Sequence, residues 1–537
     1  MRNDIIRTVP RLLRQHENEL TKQWMLACPS ATTSTTTSKT GWSPHDILKY
    51  WCPSSTSLTV KQSSSRFFMY EEHSNSSSHN NTDKGSQLII NQHSPNDLAD
   101  ILCNTSRTDY HYWTSPISEV APSLLKERLQ GYESLHSISS NSNDSNDNVS
   151  SKTKSTALHD NAKHSPLPPP TLDPRGPSLW MGSSGSATQA HYDVADNIIV
   201  QLHGHKRVRL YPPSAACALH VFPDAHPKAR KSQVDFDDPD VMGSFPFFAD
   251  VVGEDDPFLD VVLQPGDSLR IPAFWFHHLE NGRRSKGGGH GDGHGHGDGE
   301  LMERHDGPSV SLNLFALSAP MQTAQNIFRD GRAPFPSLLN LQHQRDIMTS
   351  EDRFNVAAVA LRMLGWALLE GIDIGSGSDS DSGSGVKECP GKVIQRVLLD
   401  SRYAPLGPAA PFTVSVPASG RGRDRRDRSR NRRDSGDHTH DGSSSSSNNI
   451  NNSSIGQMTV PEMEMLVETC VSRLLPQFEL LRAAHNPCET QGISHDGGAD
   501  GVVLLVACHL LELWAVELVG ASAVGSVWER ALSQEST

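Results

Sequence analysis

The sequence lacks the paired cysteines that mark a disulfide framework or a zinc finger. Its eight cysteines are scattered over 537 residues without a Cys-x-x-Cys motif, which favours reduced thiols in an intracellular protein. It also lacks a basic excess, because 48 Lys and Arg stand against 62 Asp and Glu. A net charge of −14 gives no general attraction to nucleic acid, so any such contact needs a local basic patch.

Hydrophobic residues are also scarce. They make up only 35% of the chain, so we expect long polar tracts outside a folded part of roughly 300–350 residues.

The N-terminus has no apolar region of the secretory type, and we expect a cytoplasmic or nuclear protein. The most apolar stretch begins at Gly501 and carries His509, Glu512 and Glu517. We expect a buried helix there and no membrane span.

Low-complexity segments interrupt the chain. They cannot bury enough apolar surface to order themselves, so we expect disordered insertions and linkers. They are residues 30–40, 73–86, 137–155, 286–300, 375–385 and 418–456. Within the last of them, residues 421–434 hold eight Arg against three Asp. This Arg tract either binds the phosphates of an RNA or forms a solvated linker.

Between the insertions, the hydrophobic pattern changes from strands to helices. β-Branched residues and turn signals predict strands in LIINQH, NIIVQLHGHKRVRLYPP, DVVLQPGDSLRIP and SVSLNLFAL. After residue 335 the apolar spacing predicts helices. A run of strands followed by a run of helices indicates a β-rich core with an appended helical region.

The stretch AHYDVADN places a histidine and an aspartate two residues apart. On a strand, His191 and Asp193 project from the same face. One more histidine would complete two imidazoles and a carboxylate, a set that binds iron and leaves about three positions open. The pattern alone is weak, because it recurs at His290 and Asp292 in the glycine-rich insertion. Two exposed polar residues are the alternative interpretation.

The third ligand is expected in IPAFWFHHLE. Strand alternation lets only one of His277 and His278 face a metal, and alternation alone does not decide which. The alternative is a histidine buried in the core. In the closing SVSLNLF, Ser311 and Asn313 share one face of an apolar strand. Polar residues in that position usually serve a site.

Lys206 begins the strand that returns after the HGHKR turn. Pairing of the two strands would bring this cation beside the His-x-Asp face, where it suits a dicarboxylate co-substrate. For Arg207 and Arg209 we expect only a solvated surface.

Four ordered motifs resemble the JmjC family of Fe(II)- and 2-oxoglutarate-dependent oxygenases. The motifs are HYDVADNIIVQLHGHKRVRLYPP, KSQVDFDDPD, PGDSLRIPAFWFHHLE and SVSLNLF. The resemblance implies a double-stranded β-helix (a cupin-like jelly roll), a C-terminal helical region, Fe(II) as cofactor and 2-oxoglutarate as co-substrate. It makes His191, Asp193 and His277 the iron ligands. It assigns the co-substrate to Lys206, Asn197, Asn313, Thr188 and Tyr112, with Tyr110 as the alternative to Tyr112.

The resemblance, which extends to about residue 405, and the low-complexity and apolar patterns beyond it divide the chain. The parts are the N-terminal part of the fold with insertions (1–109), the catalytic core (110–320), a helical region (321–405), a disordered linker (406–456) and C-terminal helices (457–537).

The substrate is left open by the sequence. A modified tRNA nucleoside of the wybutosine type comes first, since HYDVADN and IPAFWFH most resemble the tRNA-modifying hydroxylases of the family, although Thr188 is more like the asparaginyl hydroxylases. A protein side chain, including histone demethylation, comes second, and a non-catalytic β-barrel scaffold is the third interpretation. A wide opening to the site with a basic surface nearby would favour an RNA substrate, and a narrow groove at the site would favour a peptide substrate.

The segment FNVAAVALRMLGWALLEG is apolar around much of its predicted helix. A helix of this kind must be covered on more than one side. We therefore expect a homodimer through the helical region, with coverage by residues 457–537 of the same chain as the alternative.

Overall fold

A computed structural model describes much of the chain but not the predicted insertions. The described residues are 10–26, 42–67, 88–104, 108–135, 171–238, 240–251, 259–282, 307–332, 350–370, 390–406, 460–485 and 498–533. All six predicted low-complexity segments, with the Arg tract and the histidines of the glycine-rich insertion, lie outside these residues.

Within the described ranges, thirteen strands form two antiparallel sheets. The strands are β1 (Arg11–Leu13), β2 (Leu58–Ser63), β3 (Ile89–His93), β4 (Tyr110–Pro116), β5 (Thr171–Leu172), β6 (Ser178–Gly182), β7 (Ala187–Tyr192), β8 (Asp196–His203), β9 (Lys206–Tyr211), β10 (Leu259–Leu263), β11 (Ser268–Ile271), β12 (Phe276–Asn281) and β13 (Ser309–Leu317). The large sheet has the order β1-β11-β8-β13-β6-β4-β2-β3, with β5 beside β13, and the small sheet has the order β10-β9-β12-β7.

The two sheets face each other across an apolar core. Alternation along β8 directs Ile199 between the sheets, where it clusters with Val208 and Leu279 of the small sheet. Its neighbours Ile198 and Val200 point to the opposite side of the large sheet and pack against N-terminal helices. The expected β-rich jelly-roll core is confirmed.

Helices cover both outer faces of the sheets. They are α1 (Glu19–Leu26), α2 (Pro44–Tyr50), α3 (Pro95–Cys103), α4 (Ile117–Val120), α5 (Pro122–Glu127), α6 (Val241–Ser244), α7 (Ala319–Arg332), α8 (Ser350–Leu369), α9 (Pro390–Ile394), α10 (Val460–His485), α11 (Gly498–Val519) and α12 (Val524–Ser533). A π-helical segment, Gln395–Tyr403, continues α9. Helices α7 to α12 form the appended helical region that the sequence predicts.

The strands on either side of the HGHKR turn do not pair with each other, so that prediction is wrong. Gly204 turns the chain with a φ of 66°, and a side chain there would collide with the Pro308 carbonyl oxygen. Because β8 pairs with β11 and β13 while β9 pairs with β10 and β12, the turn carries the chain from one sheet to the other. Lys206 therefore reaches the interior from the facing sheet.

Arg207 and Arg209 do not lie on the fully solvated surface that the sequence had suggested. Both are half-buried on the outer face of the small sheet. Arg207 pairs with Asp260, and an Arg209 nitrogen lies 3.5 Å from a Glu280 carboxylate oxygen. The cause is a cross-strand row of opposite charges, which the sequence of one strand does not reveal.

The apolar helix α8 is covered within the chain. Leu361 and Leu364 are fully buried in a cluster with residues of α10, α11 and α12. A side chain at Gly365 would collide with Ile394. The C-terminal helices therefore cover the second side, which was the alternative to a subunit contact. The homodimer stays a prediction, but an uncovered helix face no longer supports it.

Helix α11 is long and apolar enough to cross a membrane, judged by length and composition alone. Its candidate span is Ala499–Val519, and 67% of the most apolar window is buried inside the protein. Core helices of soluble proteins meet the same test.

A charge on the covered face of α8 should unfold the protein. Leu361→Asp buries an unpaired carboxylate, which should cost about 4 kcal/mol or more in the free energy of unfolding. Trp366→Asp is the matched control on the same helix, because Trp366 is 39% exposed. Urea denaturation and light scattering would measure both variants. A folded Leu361→Asp variant that converts a dimer into a monomer would instead make this face a subunit contact.

Candidate metal centre

Pairing of β7 with β12 places His191 directly opposite His277. Their ring centroids are 4.2 Å apart, and Asp193 follows one residue after β7 ends. One ligand atom from each of the three side chains lies within 4.8 Å of the others. The structure thus brings together the three residues predicted as iron ligands.

Backbone carbonyls orient both imidazoles. His191 Nδ1 lies 2.8 Å from the Gln189 carbonyl oxygen, and His277 Nδ1 lies 3.0 Å from that of Trp275. With Nδ1–H donating to a carbonyl, the lone pair of each ring is on Nε2, the usual metal-binding tautomer. His277 Nε2 lies 3.6 Å from Asp193 Oδ2. This donor set fits a divalent transition metal.

The charge states also suit a metal. Burial and the neighbouring His277 lower the pKa of His191 to about 3, so the ring is neutral and its lone pair available. Burial opposes ionisation of Asp193, but the hydrogen bond and charge of His277 outweigh it and lower the pKa of the carboxyl to about 2. At neutral pH the cluster therefore offers the neutral imidazole of His191 and the carboxylate of Asp193.

The two ligand-bearing segments are joined by buried hydrogen bonds that the sequence does not reveal. Phe274 N–H donates to the Asp193 carbonyl over 2.7 Å, and Phe274 has a φ of 68°, which is rare for a bulky residue. Asp196 accepts from Ala273 N–H at 3.0 Å and from Arg270 at 2.9 Å. These contacts fix Asp193 relative to the strand that carries His277.

Lys206 lies between the sheets and donates to Ser311 Oγ over 2.6 Å. Burial alone lowers the pKa of its ammonium to about 7. Among the described residues no carboxylate pairs with it. An ammonium buried without a counter-charge is costly, so an anion bound beside Lys206 would stabilise its charged form.

A polar row extends from Lys206 along β13 and β8. Ser311 Oγ lies 3.4 Å from Asn313 Oδ1, and Asn313 Nδ2 donates to Asn197 Oδ1 over 3.4 Å. All four side chains are buried. The two asparagines predicted for the co-substrate pocket therefore line the same space between the sheets as Lys206.

Thr188 reaches the site face through a β-bulge. Thr188 precedes His191 by three positions, so regular alternation would direct the two side chains to opposite faces. In the structure, His277 faces His191 while Leu279 faces Thr188, so β7 contains one extra residue between the two pairs. The bulge turns Thr188 to the side of His191.

Of the two candidate tyrosines, Tyr112 lies nearer the polar row. Its ring centroid is 5.6 Å from that of Trp180, and Trp180 stands opposite Ser311 in the sheet. Tyr110 instead lies beside Gly185, at the turn before β7. His278 points to the outer face of β12, where it contacts Glu280 at 3.1 Å.

A cationic rim, defined here as Lys61, Lys228, Arg230 and Lys231, lies beside the cluster. Lys231 forms a β-bridge with His191. Burial, together with the charges of the other three members, lowers the pKa of Lys231 to about 8. Sequence reading missed this rim, because Lys61 comes from β2, more than 160 residues before the others.

Two facing antiparallel sheets with a two-histidine, one-carboxylate cluster between them define a cupin-type barrel with a candidate metal centre. Residues 50–314 match the family described as Cupin-like domain. Together with the similarity to proteins named for a JmjC domain, this match means that the chain contains a cupin-like JmjC domain.

Curated relatives include three proteins of different names. The tRNA wybutosine-synthesizing protein 5 of Danio rerio is 39% identical over 99 residues, 18% of this chain and 27% of that protein. JmjC domain-containing protein F of Dictyostelium discoideum is 30% identical over 20% of this chain and 24% of its own length. Lysine-specific demethylase JMJ30 of Arabidopsis thaliana is 32% identical over 19% of this chain and 23% of its own length. The chain thus aligns with about a quarter of each relative.

Among solved structures, the Escherichia coli ribosomal oxygenase YcfD aligns with 60% of this chain and 52% of its own. The sequence identity is 11% and the TM-score is 0.25, a level of likeness that carries no argument about function.

Replacing His277 should abolish tight metal binding, whereas replacing its neighbour should not. His277→Ala removes one of three ligands, while His278→Ala changes a side chain on the opposite face of the same strand. Equilibrium dialysis against Co(II), with metal content measured by emission spectroscopy, would separate them. Equal loss of metal in both variants, or retention in His277→Ala, would contradict the ligand assignment.

Proposed function

We propose that this protein is an Fe(II)- and 2-oxoglutarate-dependent hydroxylase of the JmjC type. The observation that carries the proposal is the pairing of two features inside one barrel. One is a partly buried His-Asp-His cluster in which each histidine Nδ1 lies next to a backbone carbonyl oxygen, so that Nε2 faces the other ligands. The other is a buried ammonium that lacks a carboxylate partner among the described residues.

Each residue then has a defined part. His191, Asp193 and His277 would hold Fe(II), which with 2-oxoglutarate and oxygen supplies the oxidising power for C–H hydroxylation. Lys206 and Ser311 would bind the distal carboxylate of 2-oxoglutarate, and a charge-assisted contact of this kind is among the strong hydrogen bonds. The apolar residues between the sheets exclude water from the neighbourhood of the metal.

The register of β9 and β12 supports this division of roles. His277 faces Leu210, whereas Lys206 faces Asn281. The two functional side chains thus lie on the same face, four residues apart along β12, or about 13 Å between their backbones along the strand. The lysine side chain can extend back along part of that distance, which leaves room for a short dicarboxylate between ammonium and metal.

Lys206→Met should raise the 2-oxoglutarate concentration needed for half-maximal succinate formation. Loss of a buried charge-assisted contact worth roughly 1.5–3 kcal/mol corresponds to an increase of about 10- to 150-fold. Arg207→Met is the matched control, because Arg207 lies on the other face of the same strand and pairs with Asp260. Succinate would be measured by mass spectrometry with and without Fe(II). If Lys206→Met needs no more 2-oxoglutarate than the unaltered protein, another residue binds the distal carboxylate.

For the substrate, the cationic rim favours a tRNA nucleoside. The four cationic side chains lie near one another, and each of the other three lowers the pKa of Lys231 by its charge. A phosphate backbone is attracted to a cluster of cations of this kind, whereas a typical peptide carries less negative charge. The name of the Danio rerio relative points to the same substrate class. A protein side chain remains the second candidate, since another relative is named a lysine-specific demethylase.

Neutralising the rim should weaken RNA binding more than deleting the Arg tract does. Lys228→Gln combined with Arg230→Gln should weaken tRNA binding about tenfold and reduce its salt dependence, because fewer counterions are released. Deletion of residues 421–450 is the control and should leave succinate formation intact. Fluorescence anisotropy with labelled tRNA at several salt concentrations would measure both. If only the deletion abolishes binding, the Arg tract is the RNA site. Hydroxylation of protein digests without tRNA binding would favour the second candidate.

A further inference from the structure

The strand that carries His191 is the edge strand of the small sheet, and a loop closes that edge. This closing loop comprises residues 217–234. Ser232 N–H donates to the Ala190 carbonyl over 2.7 Å, and Tyr192 N–H donates to the Arg230 carbonyl over 3.2 Å. The two bonds lie on either side of His191, so the loop determines how firmly this ligand is held.

The closing loop is held in turn by the π-helical segment. His220 Nδ1 lies 2.9 Å from the Ser401 carbonyl oxygen, and Gln233 Nε2 donates to the Arg402 carbonyl over 2.8 Å. The contacts come from both ends of the loop. π-Helical turns occur frequently at functional sites, and here one such turn lies next to the loop that borders a candidate metal ligand.

A buried charge cluster joins the same three elements. Arg402 Nη1 lies 3.0 Å from a carboxylate oxygen of Asp224 in the closing loop and 3.0 Å from one of Glu512 in α11. Asp224 also faces His509 Nδ1 at 3.0 Å, and its N–H donates to Glu512. Asp224, Arg402 and Glu512 are each at most 3% exposed at the side chain.

The cluster depends on its guanidinium. Two buried carboxylates repel each other, and without the cation between them one must take up a proton or move towards water. Asp224 is on a loop, whereas Glu512 lies in the middle of a packed helix. The loop is therefore the element that would move, and the strand edge next to His191 would lose its partner.

We propose that Arg402 is a positioning residue for the metal centre, holding the closing loop against the strand that carries His191. The inference rests on the proposed metal-dependent function. It assigns a role to residues 402 and 512, which lie beyond the cupin-like match at 50–314. The appended helical region is accordingly part of the working site.

The test uses the full chain with Co(II) as the metal probe. Arg402→Met should weaken Co(II) binding roughly tenfold, the lower end of the cost of losing a group that orients a metal ligand. Arg402→Lys should recover much of the affinity, because a single atom, Nη1, makes both carboxylate contacts. Leu510→Ala is the control, since it opens a cavity where the same buried helix faces Gly331, on the opposite side from Glu512 by helical spacing.

Hydrogen–deuterium exchange on metal-free protein gives a second readout. In Arg402→Met, peptides covering 187–193 and 217–234 should exchange faster, while the β8–β13 pairing stays protected. If Arg402→Met does not fold, Asp224→Asn decides in its place, because at unchanged size it removes the carboxylate charge by which Arg402 holds the loop, and the same two peptides should then exchange faster. Unchanged exchange and Co(II) affinity in a folded variant, or an equal loss in Leu510→Ala, would overturn the proposal. Because this readout needs neither metal nor turnover, failure of 2-oxoglutarate turnover would count against the hydroxylase function only.

Discussion

Antiparallel pairing of β7 with β12 is the interaction on which the rest of the site depends. It sets His191 opposite His277 and leaves Asp193 at the end of the strand, within reach of both rings. The strand on the other side of β12 then carries Lys206 on the same face. A slip of one residue in either pairing would turn a functional side chain to the outer face, so the register of the small sheet determines the chemistry.

That register is held from several sides. Phe274 ties the Asp193 carbonyl to the segment before β12, and the buried pair of Asp196 and Arg270 supports the same junction. At the open edge of β7, the closing loop replaces a neighbouring strand, and Arg402 connects it to helices from the C-terminal part of the chain. The jelly-roll core and the appended helices therefore act together on one cluster of three ligands.

Much of this could be predicted from the sequence, because strand period and motif order are local properties. The strands, the helices and the facing of His191 and Asp193 follow from alternation and spacing. Three other features depend on contacts between residues far apart in the sequence, which no single stretch reveals. They are the crossing of the chain from one sheet to the other between β8 and β9, the bulge that redirects Thr188, and the cationic rim that includes both Lys61 and Lys231. The same is true of Arg402 between Asp224 and Glu512.

The most direct measurement is a crystal structure of the protein grown anaerobically with Fe(II) and 2-oxoglutarate, with anomalous data collected at the iron edge. We expect one strong anomalous peak between His191, Asp193 and His277, together with a carboxylate of 2-oxoglutarate on Lys206 and Ser311. Iron bound elsewhere, or a 2-oxoglutarate molecule that leaves Lys206 without an anion, would contradict this expectation.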